Sequence, residues 1–130
     1  KLLLRKGKEV LFLRASDDGL WDIPGGRIDK GEEKVPLKKI LAREIKEELG
    51  PHIRYRVGKP LFQFRYYVAS QKAYSFLTVY EGTYLSGKIS LSPEHLRYEW
   101  INPKNYQWKK KDFLGEEEYR AFADYFKNHK

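Results

Sequence analysis

W-D-I-P-G-G at residues 21–26 and R-E-I-K-E-E-L-G at residues 43–50 decide the fold of this chain. The second stretch reads as the end of a helix, yet it carries Glu44, Glu47 and Glu48 in its last two turns. Negative charge there opposes the helix dipole by about 0.3–1 kcal/mol per residue. At roughly 100° per residue from Leu37, the apolar stripe holds Leu37, Ile40, Leu41, Ile45 and Leu49. Glu44 and Glu48 fall inside that stripe and Glu47 at its edge, while Lys39, Arg43 and Lys46 take the opposite side. Glu44 neighbours Glu47 at i+3 and Glu48 at i+4. At ~6 Å and an effective dielectric near 20, each such pair costs roughly 3 kcal/mol, and well under that in open water. Burial therefore decides the matter. If the helix end projects past the sheet, the acids are ordinary solvated charge. If they are enclosed, a divalent cation turns their repulsion into a binding site. Carboxylates without thiolates or clustered histidines select a hard ion, Mg²⁺ or Mn²⁺.

Working outward, Pro36 fits the first turn of this helix, Gly50 a left-handed cap, and Pro51 a stop. Pro24-Gly25-Gly26 opens an irregular stretch to about Val35. Upstream, residues Leu2–Arg5 and Val10–Ala15 read as strands around a turn at Gly7-Lys8, and Asp17-Asp18-Gly19 is a second turn. Downstream, Phe62, Phe64, Tyr66 and Val68 alternate with polar residues, and residues Tyr74–Leu85 continue the pattern. Short strands are expected at Ile89–Leu91 and Tyr98–Ile101. A last helix spans Glu116–Asn128, with Tyr119, Phe122, Ala123 and Phe126 on one face. Glu116, Glu117 and Glu118 read as ordinary charge at its start, where the dipole favours them. Strands and helices in this order predict an α/β chain with a mixed sheet covered by helices.

At 130 residues the chain is expected to be one domain, with 41% hydrophobic and 15% aromatic residues excluding disorder. It has no Cys, which removes disulfide and thiolate chemistry and fits a reducing, cytoplasmic location. It has no Met, even at position 1, so it is expected to continue upstream of Lys1. No apolar run approaches a membrane span and no signal-peptide pattern is visible. A net charge of +8 favours polyanionic partners such as nucleotides and nucleic acid, but by itself names none.

Taken together, Gly26-x5-Glu32 followed by Arg43-Glu44-Ile45-Lys46-Glu47-Glu48-Leu49-Gly50 resembles the Nudix box, G-x5-E-x7-R-E-U-x-E-E-x-G-U with U a bulky aliphatic. The lead-in from Trp21 to Gly26 is similar to the family's usual one. Two departures stand out. Three extra residues separate Glu32 from Arg43, placed around Glu33–Val35, where a loop absorbs them cheaply; they leave open whether Glu32 or Glu33 takes the first acidic position. Pro51 stands where an aliphatic is expected, with Ile53 as its replacement.

The resemblance implies one Nudix-type α/β/α sandwich over residues 1–130. It also implies Mg²⁺-dependent hydrolysis of a nucleoside diphosphate linked to a group X, with Mn²⁺ as a substitute. The substrate would be a nucleoside triphosphate, ADP-ribose or a nucleotide sugar, or a dinucleoside polyphosphate. By resemblance Glu44 and Glu48 are metal ligands, Glu47 a ligand or the water-activating base, and the Gly25 carbonyl a further ligand. Arg43, pointing away from Glu44 and Glu48, would orient the loop through Glu32 or Glu33. Glu94 is a further metal-ligating carboxylate and the candidate base, with Glu99 the alternative base. Gly26 lets phosphate approach closely, and Trp21 is the candidate base-stacking residue, weighed against plain packing. Tyr66, Tyr67 and Tyr74 are weaker candidates of the same kind, and Lys109–Lys111 beside Trp108 read as a solvated basic loop. His52, His95 and His129 show no metal spacing and read as surface residues. The family also implies homodimers, and the charge keeps RNA 5′ ends among the substrates. A Nudix-fold binding module without turnover is the alternative function.

Overall fold

The computed structural model describes residues 1–26 and 31–128. Its strands are β1 (Leu2–Lys6), β2 (Glu9–Ala15), β3 (Trp21–Asp22), β4 (Arg54–Val68), β5 (Ala73–Ser86) and β6 (His95–Ile101). Its α-helices are α1 (Leu37–Leu49) and α2 (Glu116–Asn128). The strands form one mixed sheet in the order β3-β2-β1-β5-β4, with β6 along the other side of β2. Only β1 and β5 run parallel among these pairs, with Leu2 opposite Tyr80 and Arg5 opposite Thr83.

The central strands are buried on both faces, so they read as apolar runs rather than strict alternation. Period-2 geometry still divides them. Leu2, Leu4, Leu11 and Leu13 turn to one face, where Leu41, Ile45 and Leu49 of α1 pack with Ile53. Leu3, Val10 and Phe12 turn to the other, against Phe113 and the α2 residues Phe122 and Phe126. The layers are therefore α1, sheet, α2, the sandwich that the sequence resemblance implies. The α2 side is aromatic: Phe122 packs against Phe12, Phe62, Phe64, Phe113 and Phe126, with ring centroids 5.2–6.1 Å apart.

Several expectations change in detail. Leu37, placed in the α1 stripe, is 55% exposed because it begins the helix beyond the sheet's cover. Pro36 is the residue before the helix, its carbonyl accepting from the N–H groups of Lys39 and Ile40. Gly50 has φ 90° but ψ 169°, an extended glycine conformation rather than the left-handed helical one. Residues Ile89–Leu91 form no strand. Their segment caps α1 instead: Ser90 N–H donates to Leu49 O and Ser92 N–H to Glu48 O, filling carbonyls a helix end leaves open. Of the expected irregular stretch from Pro24 to Val35, residues 27–30 lie outside the described residues, as does His129.

Candidate active site

A cavity of about 720 Å³ opens where the C-terminal half of α1, β3, the start of β6 and the first turn of α2 meet. That size suits a small-molecule ligand. Its walls include Asp22, Gly25, Gly26, Glu44, Glu48, Glu94, His95 and Glu118. α1 delivers two of these because Glu44 and Glu48 lie one turn apart on the face that packs against the sheet. Glu48 is 4% exposed. Its Oε2 accepts the Gly25 N–H at 2.6 Å. Burial pushes the Glu48 carboxyl up to about 7 and the Asp22 charge adds to this, while Lys1 and the Gly25 N–H pull it back.

The two glycines are there for different reasons. Gly25 has φ 119°, a region side chains avoid, and a Cβ on it would lie 2.7 Å from Lys1 Cα. Gly26 has ordinary φ, but a Cβ on it would overlap the Glu44 carboxyl group.

Arg43 ties the acids together. Its Nε and Nη2 donate to the two oxygens of Glu32 at 3.0 and 2.7 Å, a forked pairing. Nη1 donates to Glu47 at 3.0 Å, and Nη2 lies 3.0 Å from Glu44 Oε1. The expectation that Arg43 points away from Glu44 is therefore corrected: the long side chain curls back along its own helix. Glu33 takes no part, its carboxylate accepting the Gly31 N–H at 3.1 Å. Glu47 faces outward, its side chain 56% exposed and outside the cavity lining.

Glu94, just before β6, and His95, its first residue, both line the cavity. Glu94 is exposed, and its carbonyl accepts the Ser16 N–H. Glu99 lies farther along β6, paired with Arg97 at 3.2 Å and outside the lining. His95, expected at the surface, is 7% exposed; His52 is exposed as expected. His95 Nε2 sits 3.1 Å from Asp22 Oδ2 and 3.9 Å from Glu48 Oε1. Burial disfavours the imidazolium, but the hydrogen bond and charge of Asp22 outweigh that and raise its pKa. Burial likewise works against the Asp22 carboxylate, yet Lys1 at 2.8 Å and His95 hold it below its ordinary value.

Trp21 lines the cavity but is 3% exposed. The Arg14 guanidinium lies 3.5 Å from its ring centroid, and Phe12 and Tyr106 meet it edge-on. Tyr66 lines the cavity, whereas Tyr67 and Tyr74 pair with each other on the hairpin's exposed side. Glu118, read as a solvated helix start, is 8% exposed. Burial, with Asp22 adding to it, pushes its carboxyl up to about 7.

Sequence reasoning missed Asp22, His95 and Glu118. Asp22 stood in plain view as a charge within an apolar lead-in. Glu118 shares the i, i+4, i+8 stripe of Phe122 and Phe126, the same signal that exposed Glu48. The donor set fits a divalent cation: Asp22, Glu48 and His95 bring ligand atoms within 4.8 Å of one another, and Glu44 faces the same space.

Known proteins resemble this chain in sequence and fold. The sequence profile of the NUDIX domain matches residues 2–125. A Bacillus subtilis (strain 168) protein named "Putative 8-oxo-dGTP diphosphatase" is 29% identical over 100 residues, which is 73% of this chain and 65% of that protein's length. The crystal structure of MutT protein from Methanosarcina mazei Go1 superposes with a TM-score of 0.73 at 26% identity, covering 98% of this chain and 87% of that one. MutT NUDIX hydrolase from Burkholderia pseudomallei gives 0.71 at 21% identity, over 99% and 94% of the two chains, and shares the fold. With its profile matched from Leu2 to Tyr125 and the box residues Glu44 and Glu48 set into a cavity wall, this chain belongs to the NUDIX domain family.

Proposed function

We propose that this chain is a pyrophosphohydrolase, dependent on Mg²⁺ with Mn²⁺ as substitute, that cleaves a nucleoside diphosphate linked to X. The observation that carries this is the pair Glu44 and Glu48, set in a cavity wall and braced by Gly26 and Gly25. Glu44 and Glu48, with the Gly25 carbonyl, are the residues that would hold the ion. A bound divalent ion neutralises phosphate charge and lowers the pKa of water. In the reaction a water oxygen bonds to phosphorus, the bridging P–O bond breaks, and a phosphate-bearing group leaves. Glu94, on the rim, is the candidate to accept the water's proton, and Arg43 holds Glu32 and Glu44 in place. A nucleoside triphosphate is the favoured substrate, on the name of the Bacillus relative; ADP-ribose, nucleotide sugars and dinucleoside polyphosphates come next. Trp21, 3% exposed and with the Arg14 guanidinium over its ring, suits a wall better than a stacking platform.

One observation favours a second reading, a binding module that senses a nucleotide or an RNA 5′ end. Glu47 faces away from the cavity and is held by Arg43. Phosphate and pyrophosphate release from a nucleotide panel, with Mg²⁺ and with chelator, separates the two. Metal-dependent turnover of one class supports the hydrolase. Tight, metal-independent binding without turnover supports the module, and an RNA ligand would show a steep loss of affinity with salt. Light scattering reads whether the chain forms the homodimer that its family favours.

A further inference from the structure

Asp22, Glu48 and His95 come from three separate elements, β3, α1 and β6, yet their ligand atoms lie within 4.8 Å of one another. Their approach is directional. Asp22 Oδ1 accepts from the Lys1 ammonium and from the Ile23 N–H, each at 2.8 Å. That leaves Oδ2 facing His95 Nε2 at 3.1 Å. Glu48 Oε2 is held by the Gly25 N–H, which leaves Oε1 turned toward the same nitrogen at 3.9 Å. In both carboxylates one oxygen is anchored by a fixed donor and the other is aimed at one point. Such outer partners are how proteins orient metal ligands. The imidazole is 3% exposed, and among the described residues Nδ1 has no hydrogen-bond partner.

We propose that Asp22 Oδ2, Glu48 Oε1 and His95 Nε2 form a mixed nitrogen–oxygen cation site in the back wall of the cavity, taking a divalent ion of the Mn²⁺ or Zn²⁺ class. The inference rests on the metal-dependent reading above and adds a nitrogen ligand that lies outside the box. Adjacent ligands on bonds of ~2.1 Å stand about 3.0 Å apart, and opposite ligands about 4.2 Å. The 3.1 Å and 3.9 Å separations at His95 fall within that span. The widest separation, no more than 4.8 Å, has to close by less than roughly 1 Å for three bonds of that length. An imidazole nitrogen shifts preference away from Mg²⁺, which takes oxygen, toward ions that accept nitrogen. The competing account is a plain hydrogen bond that pins β6 to β3.

The test is pulsed electron spin resonance of Mn²⁺ added to the full chain, with His52 and His129 replaced by Gln so that His95 is the sole imidazole. The expected result is ¹⁴N modulation on the Mn²⁺ signal, replaced by the ¹⁵N pattern after ¹⁵N-histidine labelling. This arm leaves His95 itself intact, so folding of a buried variant is not at issue. In calorimetry, His95→Gln is expected to weaken Mn²⁺ about 10–100-fold and Mg²⁺ by under about 3-fold. Bound Mn²⁺ without an imidazole signal overturns the site and leaves the Asp22–His95 hydrogen bond. If that result comes with metal-dependent turnover, the hydrolase reading stands without the site. An imidazole-coupled ion in a protein that cleaves no nucleotide keeps the site and removes the hydrolase reading.

Discussion

The Glu44 carboxyl group fills the space that a side chain on Gly26 would need. Gly26→Ala should therefore act on the cavity and not on the fold. The displaced atoms are the far end of a flexible side chain, and Ala costs the unfolded chain about 0.4–1 kcal/mol of freedom, which offsets the crowding. The melting temperature should stay within a few degrees while Mg²⁺ affinity, read by calorimetry, falls about 10-fold or more. Unchanged Mg²⁺ affinity would show that Glu44 is not a ligand.

Glu48→Gln should divide function from stability. Turnover should fall by two or more orders of magnitude. The Glu48 carboxyl is pushed up to about 7 in the folded chain. Its folded value lies above its unfolded one, so its contribution is full below about pH 4.5 and is lost as pH rises toward and through 7. Removing the charge should raise metal-free stability at pH 8 by up to roughly 3 kcal/mol. Urea denaturation of both proteins in chelator checks this, and a less stable variant would contradict it.

Glu118 makes a similar pH argument from the opposite helix. Its carboxyl is also pushed up to about 7, chiefly by burial. Below about pH 4.5 wild type and Glu118→Gln should match within ~1 kcal/mol. Between pH 4.5 and 8 the wild type should lose ground by about 2–3 kcal/mol. A difference that stays flat with pH would place the Glu118 carboxylate in contact with water.

Arg43→Lys should fail to replace arginine. The guanidinium donates to both oxygens of Glu32 and reaches Glu44 and Glu47 as well. An ammonium cannot reproduce that fork. We expect kcat/KM to fall about 10–100-fold with a stability change under about 1 kcal/mol, since these pairs are partly solvated. Full activity in the lysine variant would reduce Arg43 to a surface charge.

Phe122→Ala tests the packing that supports the α2 wall. Phe122 touches five aromatic neighbours and is 2% exposed. Its truncation should cost about 3–5 kcal/mol in chemical denaturation.

Local periodicity carried most of what could be read from the residues. The angular position of Glu48 on α1 announced its burial, because a helix face is set by neighbours three and four apart. Both helices, the second half of β4 and most of β5 followed from patterns of that kind, whereas the start of β4 from Arg54 and its pairing with β5 did not. His95 was illegible for the opposite reason. Its partner Asp22 lies 73 residues away, and only the sheet brings β3 and β6 together. Residues Ile89–Leu91 misled because two apolar residues alternating with serines look the same whether the segment pairs with a strand or caps a helix. Arg43 misled because Cα angles ignore the reach of a long side chain. Leu37 did so because its helix starts before the surface it packs on.

The parallel pairing of β1 with β5 also governs when this chain can fold. β1 needs Tyr80–Thr83 beside it, and these emerge long after Leu2–Arg5. Until then α1 has no completed sheet to lie on, and its glutamates stay in water. During synthesis the apolar β1 and β2 segments must wait for most of the chain. Such distant pairings slow folding and lengthen the exposure of sticky strands. The hairpin β4–β5 needs no residue outside 54–86 to pair. Its assembly leaves an open edge on which β1 docks, and α1 gains its full seat only once that edge is filled.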